Sequence, residues 1–72
     1  MNEIMIRLSE LEENKESIKK EQARLREQMT ISDKEEYLEK ELVYIKNNEK
    51  LRIINEKITI LNNALDILEN IG

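Results

Sequence analysis

Leucine and isoleucine recur in the first half of this chain every three or four residues, the spacing that places side chains on one face of an α-helix. Written as heptads, the pattern has apolar residues at every d position and both apolar and polar residues at the a positions. It therefore predicts a helix with a narrow seam for one neighbour. The seam consists of Ile4, Leu8, Leu11, Lys15, Ile18, Gln22, Leu25 and Met29.

The second half of the chain repeats this spacing over a longer stretch, which predicts a second, longer helix with a matching seam. This seam is mixed at its start and apolar towards its end. Its members are Tyr37, Lys40, Tyr44, Asn47, Leu51, Ile54, Ile58, Leu61, Leu65 and Leu68.

The segment TISDKEE, residues 30–36, is the best candidate for a break between the two helices. Ser32 and Glu35 have the S-x-x-E spacing of a capping box, in which two side chains satisfy backbone N–H groups at a helix start. One continuous helix through this segment is the alternative. We predict helix 1 at about residues 3–29, a turn at about 30–32 and helix 2 at about 33–70.

Folding the chain back at this turn makes the two seams face each other in antiparallel orientation. With the fold centred on Ile31, residue i lies beside residue 62 − i, which brings Ile4 to Ile58 and Leu25 to Tyr37. Apolar residues then meet apolar residues along both helices. The sequence therefore predicts an all-α fold, an antiparallel and coiled-coil-like two-helix hairpin, forming a single domain over residues 1–72.

Helix 2 is predicted to outreach helix 1, with a length of about 57 Å against about 40 Å at 1.5 Å per residue. In this register residues 63–71 extend beyond helix 1, and a second apolar stripe lies beside the seam of helix 2. An apolar arc of this width indicates more than one neighbouring helix. We expect two hairpins to pair into a homodimeric four-helix bundle, with a tetramer as the alternative. The predicted oligomer or partner interface consists of Leu51, Ile53, Ile54, Ile58, Ile60, Leu61, Ala64, Leu65, Ile67, Leu68 and Ile71.

Composition supports the helical interpretation and narrows the class of protein. Charged residues make up 39% of the 72 residues and aromatic residues 3%, Pro is missing, and the single Gly is the last residue. This composition is typical of long helices and not of sheets. We see no signal-like segment and no apolar run long enough to span a membrane, so we expect a cytoplasmic protein without membrane contact.

The residue types needed for most enzyme chemistry are missing. The chain contains no His and no Cys, which removes the commonest general base, the thiol nucleophile and most transition-metal ligands. We therefore predict no catalytic residues, no metal and no cofactor. Polar residues in the seams are interpreted as determinants of helix register rather than as a ligand site; they are Lys15, Gln22, Lys40 and Asn47.

A nucleic-acid interface is the alternative that the basic residues raise. It would be formed by Lys15, Lys19, Lys20, Lys46 and Lys50. Glu residues interleave with these lysines and the net charge is −4, so electrostatic attraction to phosphates is weak. We expect partners other than RNA or DNA.

These observations favour a small, non-catalytic protein–protein interaction module that works as an oligomeric hairpin. Regulators, inhibitors and assembly factors, including those encoded by phages and mobile elements, are often short, charged and helical, and this interpretation rests on that association of size and composition. The expected partners are a second copy of the chain and another protein. The alternatives are a structural scaffold or coiled-coil spacer and the nucleic-acid-binding hairpin dimer described above.

Overall fold

The computed structural model describes Asn2 to Ile71 and consists of two helices. α1 spans Glu3–Thr30 and α2 spans Lys34–Ile71, with residues 31–33 between them. The helices pack against each other, and the described residues contain no strand. The predicted all-α hairpin is confirmed, its helix bounds are correct to within one residue, and the continuous helix does not form.

Side chains beside the helix starts satisfy backbone N–H groups that have no partner within the helix. Oδ1 of Asn2 accepts a hydrogen bond of 2.8 Å from the N–H of Ile4 at the start of α1. At the start of α2, Oδ1 of Asp33 accepts from the N–H of Glu36 at 2.9 Å, and the Asp33 carbonyl accepts from the N–H of Tyr37. Asp33 is therefore the N-cap of α2.

The predicted capping box of Ser32 and Glu35 is wrong by one residue. The Ser32 hydroxyl donates back to the Gln28 carbonyl at 2.5 Å and accepts from Nζ of Lys40 at 3.0 Å. Asp33 caps instead because its carboxylate accepts a charge-assisted hydrogen bond at the positive end of the helix dipole, where a neutral hydroxyl gains less. Ser32 thus closes the turn and Asp33 starts α2.

α1 ends without a glycine. The Thr30 hydroxyl donates to the Glu27 carbonyl at 2.6 Å, and the N–H of Ile31 donates to the Gln28 carbonyl at 3.3 Å. No described residue has a positive φ, so the reversal needs no left-handed backbone conformation. A chain whose interior has neither Gly nor Pro can therefore make this turn, although Ile31 remains 86% exposed.

The two seams face each other as predicted, but in a different register. Oε1 of Gln22 accepts a hydrogen bond from Nδ2 of Asn47, so residue i lies level with residue 69 − i and not with residue 62 − i. The shift is one heptad, which leaves every seam residue facing the other helix. Ile4, predicted to lie beside Ile58, is instead level with Leu65, and both Ile4 and Leu65 are half-buried.

α2 extends beyond α1 at both ends. The Cα atoms span 57 × 17 × 13 Å, and α2 with its 38 residues is about 57 Å long. α1 has 28 residues and is about 42 Å long; in the observed register it ends level with residues 39 and 66 of α2. Tyr37, predicted to contact Leu25, consequently lies beyond α1 and is 41% exposed. The predicted overhang of residues 63–71 shortens to 67–71, because Ala64 and Leu65 are half-buried.

Two helices enclose little core. Leu25, 8% exposed, is the one apolar side chain among residues 2–71 that is buried, and most other seam residues are half-buried. A single neighbouring helix leaves one side of each seam residue open. An isolated hairpin of this size is therefore marginally stable, and further burial of its apolar side chains stabilises it.

Candidate interaction surface

A polar layer crosses the seam at Gln22. Nε2 of Gln22 donates to the Tyr44 carbonyl at 3.1 Å and to Oδ1 of Asn48 at 2.7 Å, while Oε1 accepts from Nδ2 of Asn47 at 3.2 Å. Gln22 is 6% exposed and Asn47 is 3% exposed, and no buried side-chain N or O atom of residues 2–71 lacks a partner. The pair supports the interpretation of these amides as register determinants, because sliding one helix would leave both amides unsatisfied.

The remaining polar seam residues lie at other levels. Lys15 and Lys40 are half-buried, and Lys40 contacts the turn through Ser32. Beside the polar layer, Nε of Arg26 donates to the phenol oxygen of Tyr44 at 2.8 Å, and the Arg26 guanidinium carbon lies 5.5 Å from the centre of that ring. Gln22 and Asn47 therefore form one layer of the seam, whereas Lys15 and Lys40 lie at other levels.

A row of apolar residues on α2 lies beside the seam and is left uncovered by α1. We call it the C-terminal stripe, and it consists of Ile53, Ile60, Ala64, Ile67 and Ile71. The row is about 28 Å long. Ile60, Ile67 and Ile71 are 65%, 60% and 79% exposed, whereas Ala64 at the edge of the seam is half-buried.

The structure divides the predicted interface residues into two groups. The first group is half-buried in the hairpin and consists of Leu51, Ile54, Ile58, Leu61, Ala64 and Leu65. The second group is exposed and consists of Ile53, Ile60, Ile67, Leu68 and Ile71. Since α1 is the neighbour of the first group, the second group is what remains for another molecule.

A second apolar patch lies on the back of α2 near the turn, and the heptad pattern did not reveal it. Leu38, Leu42 and Ile45 are 51%, 62% and 55% exposed, and their i, i+4, i+7 spacing places them on one face. We call these three residues the turn patch. The spacing of these three residues is visible in the sequence. The seam runs through the same segment, however, and the heptad pattern considers only the seam positions.

The lysines of the predicted nucleic-acid interface do not share a face. They are Lys15, Lys19, Lys20, Lys46 and Lys50. Lys19 lies on the flank of the hairpin that carries Asn48, whereas Lys50 lies on the opposite flank beside Asn14. Lys20 is exposed on α1 beside Arg24, and Lys15 is half-buried in the seam. The hairpin thus places Lys19 and Lys50 on opposite flanks, while Lys46 lies one helical turn from Lys50 on α2.

Arg52 forms a ladder of ion pairs on the exposed surface of α2. Its Nη1 lies 2.6 Å from Oε1 of Glu56, and its Nε donates to Oε1 of Glu49 at 3.0 Å while Nη2 contacts the same oxygen. Hydrogen bonding and the charge of Arg52 lower the pKa of Glu49, and the same contacts raise the pKa of Arg52. All three side chains are more than half exposed, so solvent screening limits their contribution to stability.

The described part of the chain contains neither a metal-binding cluster nor a membrane-spanning helix. Within residues 2–71, no three His, Cys, Asp or Glu side chains are grouped so that they could hold a metal ion. Neither helix is apolar over a length that would cross a bilayer in that range.

Comparison with known proteins gives no relative of this chain. No protein-family model, no curated protein and no solved structure matches it. Function is therefore inferred from the exposed surfaces of the hairpin.

Proposed function

We propose that this chain is a non-catalytic protein–protein interaction module that forms a homodimeric four-helix bundle through the C-terminal stripe of α2. The observation that supports this proposal is the exposure of Ile60, Ile67 and Ile71, with Leu68 beside them, along one side of the helix. Full burial of each Leu or Ile contributes about 1.5–3 kcal/mol. The side chains of two copies together offset the loss of translational and rotational freedom on association, about 4–15 kcal/mol.

α2 is suited to the centre of such a bundle. Its seam contacts α1, and its C-terminal stripe lies on the adjacent face, so it can have two helical neighbours, as each helix of a four-helix bundle has. Among the described residues of α1, the exposed large apolar side chains are Met5 and Ile6, both at its start. α1 therefore belongs at the outside of the bundle and α2 at the dimer contact.

The turn patch is the surface that we assign to a different protein. It lies near the other end of α2 from the C-terminal stripe, so pairing through the stripe leaves it exposed. Glu35, Glu39 and Glu41 lie within one helical turn of its members, and so do Lys34 and Lys46. The patch is therefore bordered by charges of both signs, which favours a partner helix with an apolar stripe flanked by both acidic and basic residues. A regulator, inhibitor or assembly factor of this kind would hold its target at the turn patch while remaining dimeric.

Sedimentation of an Ile60→Asp/Ile67→Asp double variant tests the dimer. Both side chains are exposed in the hairpin, so the substitutions keep the seam and place charges only in the proposed contact. We expect the wild type to sediment as a dimer and the variant as a helical monomer. The matched control is Leu42→Asp/Ile45→Asp, which replaces two exposed apolar residues of the turn patch and should remain dimeric.

Two results would contradict the proposal: a wild-type chain that is monomeric at millimolar concentration, or a stripe variant that dimerises as the wild type does. The same two variants test the assignment of the turn patch. A target captured from the native host by the wild type should be retained by the stripe variant and lost by the turn-patch variant.

A further inference from the structure

We infer that the C-terminal stripes of two copies pair in antiparallel orientation about a two-fold axis level with residue 62; this inference rests on the proposed dimer. The seam of α2 occupies the a and d positions of its heptads, and the stripe occupies the c and g positions. When residue i lies level with residue 124 − i of the second copy, each c residue meets a g residue. This is the arrangement that the hairpin's own seam adopts, where each d residue of one helix meets an a residue of the other.

Four of the five apolar residues of the stripe match one another in this register. Ile53 lies level with Ile71 of the second copy, and Ile60 lies level with Ala64 of the second copy. The alternation of a large and a small residue at the centre allows the two helices to interdigitate. Because the contact has two-fold symmetry, each of these layers occurs twice.

The register also covers an exposed residue outside the stripe. Leu68 is 51% exposed, and in the antiparallel pair it has Ile54 of the second copy as its neighbour. On the other edge of the contact, Asn63 meets Asn63 of the second copy close to the two-fold axis. The contact thus has an apolar edge beside the seam and a polar edge towards solvent, as protein interfaces commonly do.

The lysines of α2 favour the antiparallel over the parallel orientation. Lys57 lies within the stripe, and in a parallel pair in register it would face Lys57 of the second copy. Two like charges at that position would repel each other beside apolar residues. In the antiparallel pair Lys57 lies level with Ile67 of the second copy, where its aliphatic stem covers the isoleucine and its ammonium group reaches water.

The end of α2 provides a second electrostatic reason. α2 has no basic residue in its last turn, so the partial negative charge of its C-terminal end has no cation nearby in its own helix. In the antiparallel register Lys50 lies about 4.5 Å beyond the level of Ile71 of the second copy, within reach of the last backbone carbonyls. Each copy therefore supplies the cation that the other helix end lacks.

The size of the contact predicts its strength. It is about 28 Å long and one helix wide, which is less than the roughly 800 Å² per partner of a standard interface. We therefore expect a dimer that dissociates on dilution.

Cross-linking of single introduced cysteines tests the orientation. Because the chain contains no Cys, each introduced cysteine is the sole reactive thiol. The two variants are Asn63→Cys and Asn70→Cys, which replace the same residue type at the same heptad position, both exposed. In the antiparallel register the two Asn63 positions lie about 3 Å apart along the helix axis and the two Asn70 positions about 24 Å apart. A bismaleimide with a two-carbon spacer should therefore give about tenfold or more covalent dimer for Asn63→Cys than for Asn70→Cys.

A mixture of Glu56→Cys and Asn70→Cys chains tests the same register at a pair of positions that only a heterodimer brings together. These positions lie about 3 Å apart along the axis of an antiparallel pair, so the mixture should yield a cross-linked heterodimer although Asn70→Cys alone does not. Equal cross-linking of Asn63→Cys and Asn70→Cys would indicate parallel pairing and overturn the inference. A sedimenting dimer without any Asn63→Cys cross-link would overturn it too. Both results leave the proposed dimer intact, whereas a chain that is always monomeric removes the dimer and its orientation together.

Discussion

Two side chains that are adjacent in the sequence stabilise the turn, and each of them hydrogen-bonds one of the two helix ends. The Ser32 hydroxyl binds the last turn of α1 through the Gln28 carbonyl, while the Asp33 carboxylate accepts from the first turn of α2 at Glu36. Because each helix end has its own polar partner, three residues, 31–33, suffice to connect the two helices. A longer or glycine-containing loop is not needed.

Replacing Asp33 with Ala should lower the free energy of unfolding by about 0.5–2 kcal/mol, because the N–H of Glu36 loses its side-chain acceptor. Urea unfolding followed by circular dichroism measures the change, at one fixed protein concentration because the proposed association would contribute to stability. Asp33→Asn keeps an acceptor oxygen and is the matched control, expected to retain most of the stability. Equal midpoints for Asp33→Ala and the wild type would show that this carboxylate does not cap α2.

Glu49 should titrate at a lower pH than an ordinary glutamate, since Arg52 lowers its pKa. A lowered pKa in the folded state means that the pair stabilises the helix above the ordinary Glu pKa. That contribution is lost as the pH falls through the pKa of folded Glu49. Carbon-detected NMR titration measures the midpoint, and Arg52→Gln should move it upwards towards the ordinary value. An unmoved midpoint would exclude Arg52 as the cause.

Between the two helices, one pair of amides selects the register. Shifting the seams by one heptad keeps apolar side chains in contact, so the alignments 62 − i and 69 − i both satisfy the hydrophobic pattern. The two alignments differ in which side chain lies opposite each of the buried polar residues. In the observed alignment Gln22 meets Asn47, whereas the predicted alignment would have placed Gln22 opposite Lys40 and Asn47 opposite Lys15.

This difference shows how far the sequence predicts the fold. The helix lengths and the break followed from the spacing of Leu and Ile, because that spacing is local. The register depends on matching between distant segments, and pairing the complementary amides Gln22 and Asn47 would have found it. For the candidate site, the C-terminal stripe was visible beside the seam, whereas the extent of its exposure depends on where α1 ends against α2, which only the register determines.

Replacing Asn47 with Leu should destabilise the hairpin by about 1–3 kcal/mol, because the buried amide of Gln22 loses a partner. Replacing both residues, Gln22→Leu and Asn47→Leu, should restore or exceed wild-type stability, since an apolar layer needs no hydrogen bonds. The double variant should also lose the preference for one register and sediment as a mixture of assemblies. Chemical unfolding and sedimentation measure the two effects, and additive destabilisation in the double variant would mean that the amides act independently.

The C-terminal stripe and the turn patch, the two uncovered apolar surfaces of the hairpin, lie in opposite halves of α2. We propose that the C-terminal stripe contacts a second copy and that the turn patch contacts a different protein. Antiparallel pairing of two hairpins through their C-terminal stripes would place the two turn patches far apart. The dimer would then present one target site at each of its ends.

Replacing Lys50 with Ala should weaken the dimer roughly three- to thirtyfold in Kd, because two cations per dimer, each contributing about 0.3–1 kcal/mol, leave the helix ends. Sedimentation equilibrium at low salt measures this, and the effect should shrink as salt is added. Lys46→Ala is the control, since Lys46 lies one turn further from the end of the second copy's helix. If both variants had the same Kd, the proposed contact between Lys50 and that helix end would be wrong.

Among residues 2–71, Leu25 is the one buried apolar side chain. A core this small affects the rate at which the protein is degraded. If two copies pair as we propose, folding and pairing are coupled, so the fraction of chains open to proteases rises as the number of copies falls. We expect scarce chains to be degraded faster than abundant ones. The steady-state level would consequently respond more than proportionally to the rate of synthesis, which gives a threshold below which the protein does not accumulate.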